Sequence, residues 1–438
     1  MKRIVIILSA ALIGIAGAAR AQAPTDVHID LSKSGSRIRI HCESLTPAGA
    51  ANARSWALQA DEVLSNDLDW SAVFDVSRSW VTGQSVEGAA AIVGGKLTVQ
   101  GDDLRLEGQV RDVPGGRPIM AKEYRGKLRD WRDLVHRFSD DIVLQFSGEP
   151  GVARTKIVFS SHSGRNKELY IMDWDGANRR ALTQDGSIAI SPAFSPDGSL
   201  VLFTSYRGGA GPRVFVLKVE GGKPFLVSGR PGINTSASYS PDGREIVCTL
   251  SMDGNSEVYV LDAKGGSPRR LTTQRSIDTS PTWSPTGREV AFTSDRAGAP
   301  QVYVMDREGG NARRLTYEVG YTDSPAWSPK GDRIAFVART GNGFDIYVCR
   351  ADGSDTRLVV SGGSNENPHW SPDGRHLVFS SDRGSGVGLY VTDLDGRQPR
   401  RLETGGMSAS SPAWSPRPAE SGRFLNSNPT NSALGGRP

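Results

Sequence analysis

The chain has 438 residues with nearly balanced charge, 52 Lys and Arg against 48 Asp and Glu. Its composition is that of an ordinary globular protein, long enough for two or three domains. Three cysteines (Cys42, Cys248, Cys349) make no disulfide framework, and the absence of a clustered basic stripe with interleaved aromatics argues against a nucleic-acid binder.

Lys2-Arg3 precede an apolar run from Ile4 to Ala19 and Ala-rich text to Ala23. A positive start, a short apolar core and an Ala-x-Ala end describe a secretory signal peptide over residues 1–23. Cleavage after Ala21 or Ala23 satisfies the rule, and we prefer Ala23. The run is short for a membrane span and no other long apolar stretch occurs, so the mature chain is expected to be soluble and exported. Losing Lys2, Arg3 and Arg20 brings the formal charge from +4 to +1, so the basic balance says little about partners.

Residues 24–150 read as a small α/β domain. A polar lead, Pro24 to Ser36, is followed by a strand at Arg37–Ile40. A helix is predicted over Asn52–Leu68, with Trp56, Ala60, Val63 and Leu64 near helical spacing. Strands follow at Ala72–Val76, Ala90–Val99, Leu104–Val110 and Ile119–Tyr124, with polar turns at 101–103 and 114–116. A second helix over Asp130–Phe146 sets Leu134, Phe138, Ile142 and Phe146 four residues apart.

The rest of the chain repeats. The unit Ser-Pro-x-Trp-Ser-Pro-x-Gly, cleanest at Ser280–Gly287, returns with its second proline at 196, 241, 285, 329, 372 and 416, steps of 45, 44, 44, 43 and 44. Each copy leads through a tight turn to a β-rich run such as Glu289–Thr293. A loop carrying Ser-Asp-Arg (294–296, 381–383) comes next. Then follow an alternating strand such as Gln301–Met305, an Asp-Gly turn and an outer Arg-Arg-Leu-Thr strand. Four short strands per period of about 44 make a β-propeller blade. The array begins on a second strand, Lys156–Ser160, and ends on an innermost one, Ser411–Ser415. The last strand is therefore expected to complete the first blade, giving six blades over residues 151–416 and a disordered tail over 417–438. The fold class is mainly β: a six-bladed β-propeller preceded by a small α/β domain.

These residues resemble the TolB family of the Tol–Pal system. The order of signal, α/β domain and six blades carries the resemblance, as do the blade text and, above all, the junction Gly148-Glu149-Pro150-Gly151-Val152-Ala153-Arg154-Thr155-Lys156-Ile157. That junction is similar to the family's Gly-x-x-Gly-x-Phe-x-Thr-Arg-Ile, with Ala153 where Phe is common. The resemblance implies a periplasmic, monomeric binding protein with no catalytic residue, cofactor or metal. It would dock a Pal-like outer-membrane lipoprotein on the propeller and engage a TolA-like inner-membrane protein through its N-terminal segment, here Thr25–Lys33. The segment departs from the family pattern. The implied roles are outer-membrane integrity and envelope constriction at division. The implied docking positions, where loops enter the innermost strands, are Ile233, Asn234, Thr235, Ile277, Asp278, Thr279, Thr322, Asp323, Asn365 and Glu366. Their carboxylates would attract a basic partner, and an extended peptide would find pockets along the mouth. The plainer reading is that these residues cap strands and turns.

Other features read as structural. The Ser-Asp-Arg triplets recur around the ring, so Asp295–Arg296 and its equivalents are expected to tie a strand end to the next blade. The aromatic residues at 194, 239, 283, 327, 370 and 414 are expected in the core between blades. Asp173-x-Asp175-Gly176 has only half of a calcium loop, and neither His162 nor His369 has a partner at ligand spacing. An exported propeller enzyme of the peptidase or lyase kind is the alternative, with a stand-alone binding protein the third. No Gly-x-Ser-x-Gly elbow occurs to support a serine peptidase.

Overall fold

The computed structural model describes residues 37–79, 88–113, 115–341 and 343–419. The signal peptide, Thr25–Lys33 and the tail beyond 419 lie outside these residues. No helix among the described residues is long and apolar enough to cross a membrane.

The α/β region runs β1 (Ile38–Glu43), β2 (Thr46–Gly49), α1 (Ala53–Asp69), β3 (Phe74–Ser79), β4 (Ala91–Gln100), β5 (Asp103–Asp112), β6 (Pro118–Lys127) and α2 (Trp131–Ser147). The sheet order is β3-β1-β4-β5-β6, parallel from β3 to β4 and antiparallel beyond. The sequence reading missed β2, which extends the same edge of β4 that β1 occupies, pairing Thr46–Gly49 with Lys96–Val99. Its four residues include Pro47 and have no alternation, so only the tertiary pairing makes it a strand. The four-residue spacing of α2 is borne out: Leu134, Phe138, Ile142 and Phe146 are all buried.

Among the described residues, six four-stranded antiparallel sheets follow. The innermost strands are Ala409–Trp414 (blade 1), Ala189–Phe194 (blade 2), Asn234–Tyr239 (blade 3), Asp278–Trp283 (blade 4), Thr322–Trp327 (blade 5) and Asn365–Trp370 (blade 6). Blade 1 combines the two ends of the array. Ala409–Trp414 pairs with Lys156–Ser163, Trp414 opposite Ile157. The repeated aromatics pack between blades as expected: Trp283 against Val247, Val258 and Val260 of blade 3, Trp327 against Ala291 and Val302 of blade 4, Trp370 against Ala335 and Ile346 of blade 5. Wedging each aromatic into the preceding sheet makes neighbouring blades one core.

The innermost strands are not regular. Each breaks register at its third residue. That residue has positive φ: Ser191, Ser236, Ser280, Ser324, Asn367 and Ser411, between 49° and 54°. A left-handed serine is uncommon and costs on the order of 1 kcal/mol or more. Five of the six are followed by proline, which has no N–H to leave unpaired at the bulge.

The α/β region sits at the end of the ring where the Ser-Pro-x-Gly turns lie. Glu149 pairs with Lys330 and Arg375 of the blade 5 and blade 6 turns, Arg37 with Asp393, and Arg397 with Asp69. The loops entering the innermost strands therefore open at the other end.

The junction is a packed joint. Gly148 ends α2 at φ +75°, its N–H bonded to the Leu144 carbonyl. Asp140 of α2 accepts hydrogen bonds from the backbone N–H of Ala153 (2.8 Å) and Arg154 (3.3 Å). A Cβ at Gly151 would lie 2.3 Å from Asp140 Oδ1. Thr155 Oγ1 accepts a bond from the Trp414 indole at 2.7 Å, and Val152, Ala153 and Ile157 join the Trp174 and Trp414 cluster. We expect Gly151→Ala to destabilise the folded protein by about 1–3 kcal/mol, read as a lowered urea midpoint. Adding Asp140→Ala should recover less than the full loss, because it also takes the acceptor from two part-buried N–H groups. A Gly151→Ala midpoint equal to the parent's would show that the joint gives way easily.

Candidate functional site

The mouth is built from one position repeated around the ring, eight residues before each second proline: Ser408, Ile188, Ile233, Ile277, Tyr321 and Ser364 for blades 1 to 6. In blades 1 to 5 each carbonyl accepts a backbone bond from the end of the second strand or the residue just after it: His162, Tyr206, Ser251, Asp295 and Arg339. In blades 3, 4 and 6 the N–H at this position donates to a side chain, to Ser251 Oγ and Asp295 Oδ1 at 2.8 Å and to Asp382 Oδ1 at 2.6 Å. Sequence reasoning named Ile233 and Ile277 but missed Ile188, Tyr206, Tyr321 and Ser364. Counting back from the prolines would have found all but Tyr206.

The ten residues implied by resemblance fall into two groups. Asn234, Asp278, Thr322 and Asn365, the first residues of their strands, are fully buried and fasten the loops. The Asn234 amide accepts from Ser228 Oγ (2.7 Å) and the Arg230 N–H (3.0 Å), and donates to the Arg230 and Gly232 carbonyls. Asp278 accepts from Arg296 at 3.1 Å, Thr322 Oγ1 lies 2.7 Å from Thr316 Oγ1, and Asn365 accepts from Arg383 at 2.7 Å while donating to the Phe344 carbonyl. All four are buried among these partners, the arrangement the capping reading expects. The other six reach the mouth or channel. Ile233, Ile277 and Glu366 are exposed, and Thr235, Thr279 and Asp323 are half-buried. Asp323 Oδ1 accepts from Thr293 Oγ1 (2.8 Å) and the Ser324 N–H (2.6 Å), and Glu366 from Ser364 Oγ at 3.2 Å. Burial, and after it the charge of Asp323, raises the Tyr321 phenol above its ordinary value.

The Ser-Asp-Arg triplet corrects the sequence reading. Its arginine ties a strand end mainly to its own blade: Arg296 reaches Asp278 and lies over Phe292 and Tyr303, all in blade 4, and Arg383 does the same in blade 6. The side chain is long enough to fold back over its own strand pair, and the aromatic faces there hold it. His369 is tied into the ring. Its Nδ1 accepts from the Trp414 N–H at 3.2 Å, linking blade 6 to the closing strand, and burial lowers its pKa.

Away from the mouth, His136, Asp173 and Asp175 form a group with metal-ligand spacing. Lys156 and Asn178 already bond the Asp173 carboxylate, and Arg132 and the Ala177 N–H bond Asp175. With two cations on the carboxylates, the group works as an ionic joint between α2 and blade 1.

A family model described as the TolB beta propeller domain matches residues 144–418. The Tol-Pal system protein TolB of Desulfosudis oleivorans is 39% identical over 171 residues, 39% of each chain. The TolB homolog of Chlorobium chlorochromatii is 38% identical over 217 residues, 46% of this chain and 49% of that protein. The chain thus spans about two-fifths to one-half of the length of these curated relatives. The crystal structure of TolB from Acinetobacter baumannii superposes with a TM-score of 0.78 at 24% identity, covering 87% of this chain and 97% of that one, which shows the shared fold. With the family model covering well over half of its residues, the chain belongs to the TolB beta-propeller family.

Proposed function

We propose that this protein is the periplasmic binding component of a Tol–Pal system. It docks a Pal-like outer-membrane lipoprotein at the propeller mouth and a TolA-like inner-membrane protein through Thr25–Lys33. By joining the two membranes it maintains outer-membrane integrity and supports envelope constriction at division. The observation that carries this reading is the mouth itself. Buried caps fix the loops in advance, and between them stand apolar and hydroxyl side chains, the lining of an interaction surface. A pre-formed rim binds without the ordering cost that a flexible loop set would impose. The same lining supports a binding role rather than a catalytic one. Membership of the family, and a relative named for the Tol-Pal system, agree with it.

The test is capture from an envelope extract by the mature protein, with an Ile277→Asp/Glu366→Lys variant alongside. Both substituted side chains are exposed, so the variant should fold. Capture of an outer-membrane lipoprotein by the parent, reduced at least tenfold in the variant, is the expected result. Equal capture by both would move the site off the mouth. Capture of no lipoprotein by the folded parent would end the Pal reading.

A further inference from the structure

Between the start of α2 and blade 1 lies a cavity of about 140 Å³. Its walls carry four fixed cations, Arg129, Arg132, Arg154 and Lys156, against three carboxylates, Asp130, Asp133 and Asp173. Each carboxylate is already matched: Asp173 by Lys156 and Asn178, both at 2.6 Å, Asp133 by Arg154 at 3.1 Å and Asp130 by Arg129 at 3.7 Å. The unmet hydrogen-bonding capacity is on the donor side. His136, 3% exposed, is held through Nδ1 by Asp67, which lies outside the cavity wall. The opposite edge of the ring, Nε2, makes no hydrogen bond, and Asp175 Oδ2 stands 3.9 Å from it. Arg132 Nε is likewise buried without an acceptor, although Arg132 also bonds Asp175. A buried donor with no partner is costly, so two beside one cavity point to an acceptor that enters it. The cavity also opens on the first turn of α2, a helix of 17 residues whose Asp130 makes no side-chain cap. The amide end of such a helix attracts negative charge.

We propose that this cavity binds a small tetrahedral oxyanion, a phosphate or sulfate group, which accepts hydrogen bonds from His136 Nε2 and Arg132 Nε. Arg129, whose side chain is 81% exposed, meets it at the entrance. The proposal goes beyond the partner-binding reading and does not depend on it. An oxyanion presents several acceptor oxygens at once, so one ligand answers both donors, and bonds to charged donors are the strong ones. Both donors belong to α2, while Lys156, Asp173 and Asn178 on the facing wall belong to blade 1, so a bound anion holds the two together. A divalent cation is the competing occupant, since His136, Asp173 and Asp175 have metal-ligand spacing. It would need a lone pair on Nε2 and would have to displace Lys156 and Arg132 from the carboxylates. The imidazole keeps its proton instead. Burial works against the charge, but Asp67 and then Asp175 and Asp173 outweigh it and raise the pKa to about 9.

The test is calorimetric titration of inorganic phosphate into the mature protein at pH 7 and fixed ionic strength, with Arg129→Gln, Arg132→Lys and Arg125→Gln alongside. Arg125, on β6, lies outside the cavity and is 73% exposed, so its variant controls for the loss of one charge. We expect one saturable site in the parent. Arg132→Lys keeps the charge but loses the Nε donor, and should weaken binding about tenfold. Arg129→Gln should weaken it about threefold, and Arg125→Gln should leave it unchanged. Arg129 is exposed, so its variant reads the site even where Arg132→Lys loosens the fold. In nitrogen NMR of the histidine side chains, the His136 Nε2–H signal should shift as phosphate saturates. Glycerol 3-phosphate is titrated in parallel to separate two sources of the same group. Equal affinity assigns the site to the phosphate end of a larger molecule, and much weaker binding assigns it to the free anion. No saturable phosphate binding, equal binding by all four proteins, or a His136 signal that stays still at saturation overturns the proposal. So does zinc or calcium filling the site in place of phosphate. None of these readouts uses a lipoprotein, so failure of the Pal reading and failure of this one are separately visible.

Discussion

Ending the chain after Met407 is expected to abolish cooperative folding of the ring. Residues 409–414 are the inner strand of blade 1, and without them Lys156–Ser163 keeps only one neighbour. Two hydrophobic clusters lose members together: Ala409 and Trp414 from the one shared with blade 6, Ala413 from the one shared with blade 2. The single substitution Trp414→Ala isolates part of this effect. It removes a side chain that is 2% exposed, together with the indole hydrogen bond to the buried Thr155 hydroxyl, and should cost about 3–5 kcal/mol. Near-ultraviolet circular dichroism and thermal melting read both. The shortened chain should show weak tertiary signal and no sharp transition, and Trp414→Ala a melting temperature lowered by several degrees. A shortened chain that melts sharply near the parent's temperature would mean that blade 1 is dispensable.

His136 gives the second large effect, and it depends on pH. The side chain is buried on α2, its Nδ1 2.7 Å from Asp67 Oδ2 of α1 and its Nε2 3.9 Å from Asp175 Oδ2 of blade 1. Asp67 also accepts from the Trp174 indole and Ser139 Oγ, so one carboxylate gathers α1, α2 and blade 1. Burial works against a charged imidazole, but Asp67 and then Asp175 and Asp173 outweigh it and raise the pKa to about 9. A folded pKa above the unfolded value of about 6.5 means that the folded state holds the proton more tightly. The stabilisation is therefore complete below about pH 6.5 and is lost as pH rises through 9. His136→Gln should cost about 3 kcal/mol at pH 6 and much less at pH 9.5, because it leaves Asp67 facing a neutral group. Urea midpoints of both proteins at pH 6, 7.5 and 9.5 give the difference. A gap that stays constant across that range would show that His136 is uncharged in the folded protein.

Much of this molecule was legible because its signals repeat. Six prolines at a period near 44 located the blades, and α2 was visible in four apolar residues at four-residue steps. What escaped was set by tertiary contact. The Thr46–Gly49 strand exists because β4 has an open edge there. The bulge at Ser191 and its counterparts was hidden because a Ser-Pro pair reads equally as a strand or a turn. At the mouth, the repeat located the loops but not which residue of each faces outward. Asn234 and Asp278 are the most polar residues there and look the most functional, yet they point inward to fasten their own loops. The isoleucines beside them carry the exposed surface.

The closing strand also bears on how the protein comes into being. The Lys156 N–H donates to Ser415 Oγ across 259 residues of chain. A ribosome delivers Lys156–Ser163 long before it delivers its inner neighbour, so five blades can zip from adjacent hairpins while the first waits with an unpaired edge. Contacts that far apart in sequence form slowly, and an uncovered edge is open to wrong partners for as long as the wait lasts. The nascent chain is thus most vulnerable to aggregation in the interval before its last innermost strand arrives. A chaperone that shields Lys156–Ser163 during that interval would raise the yield of the whole protein without touching its final stability.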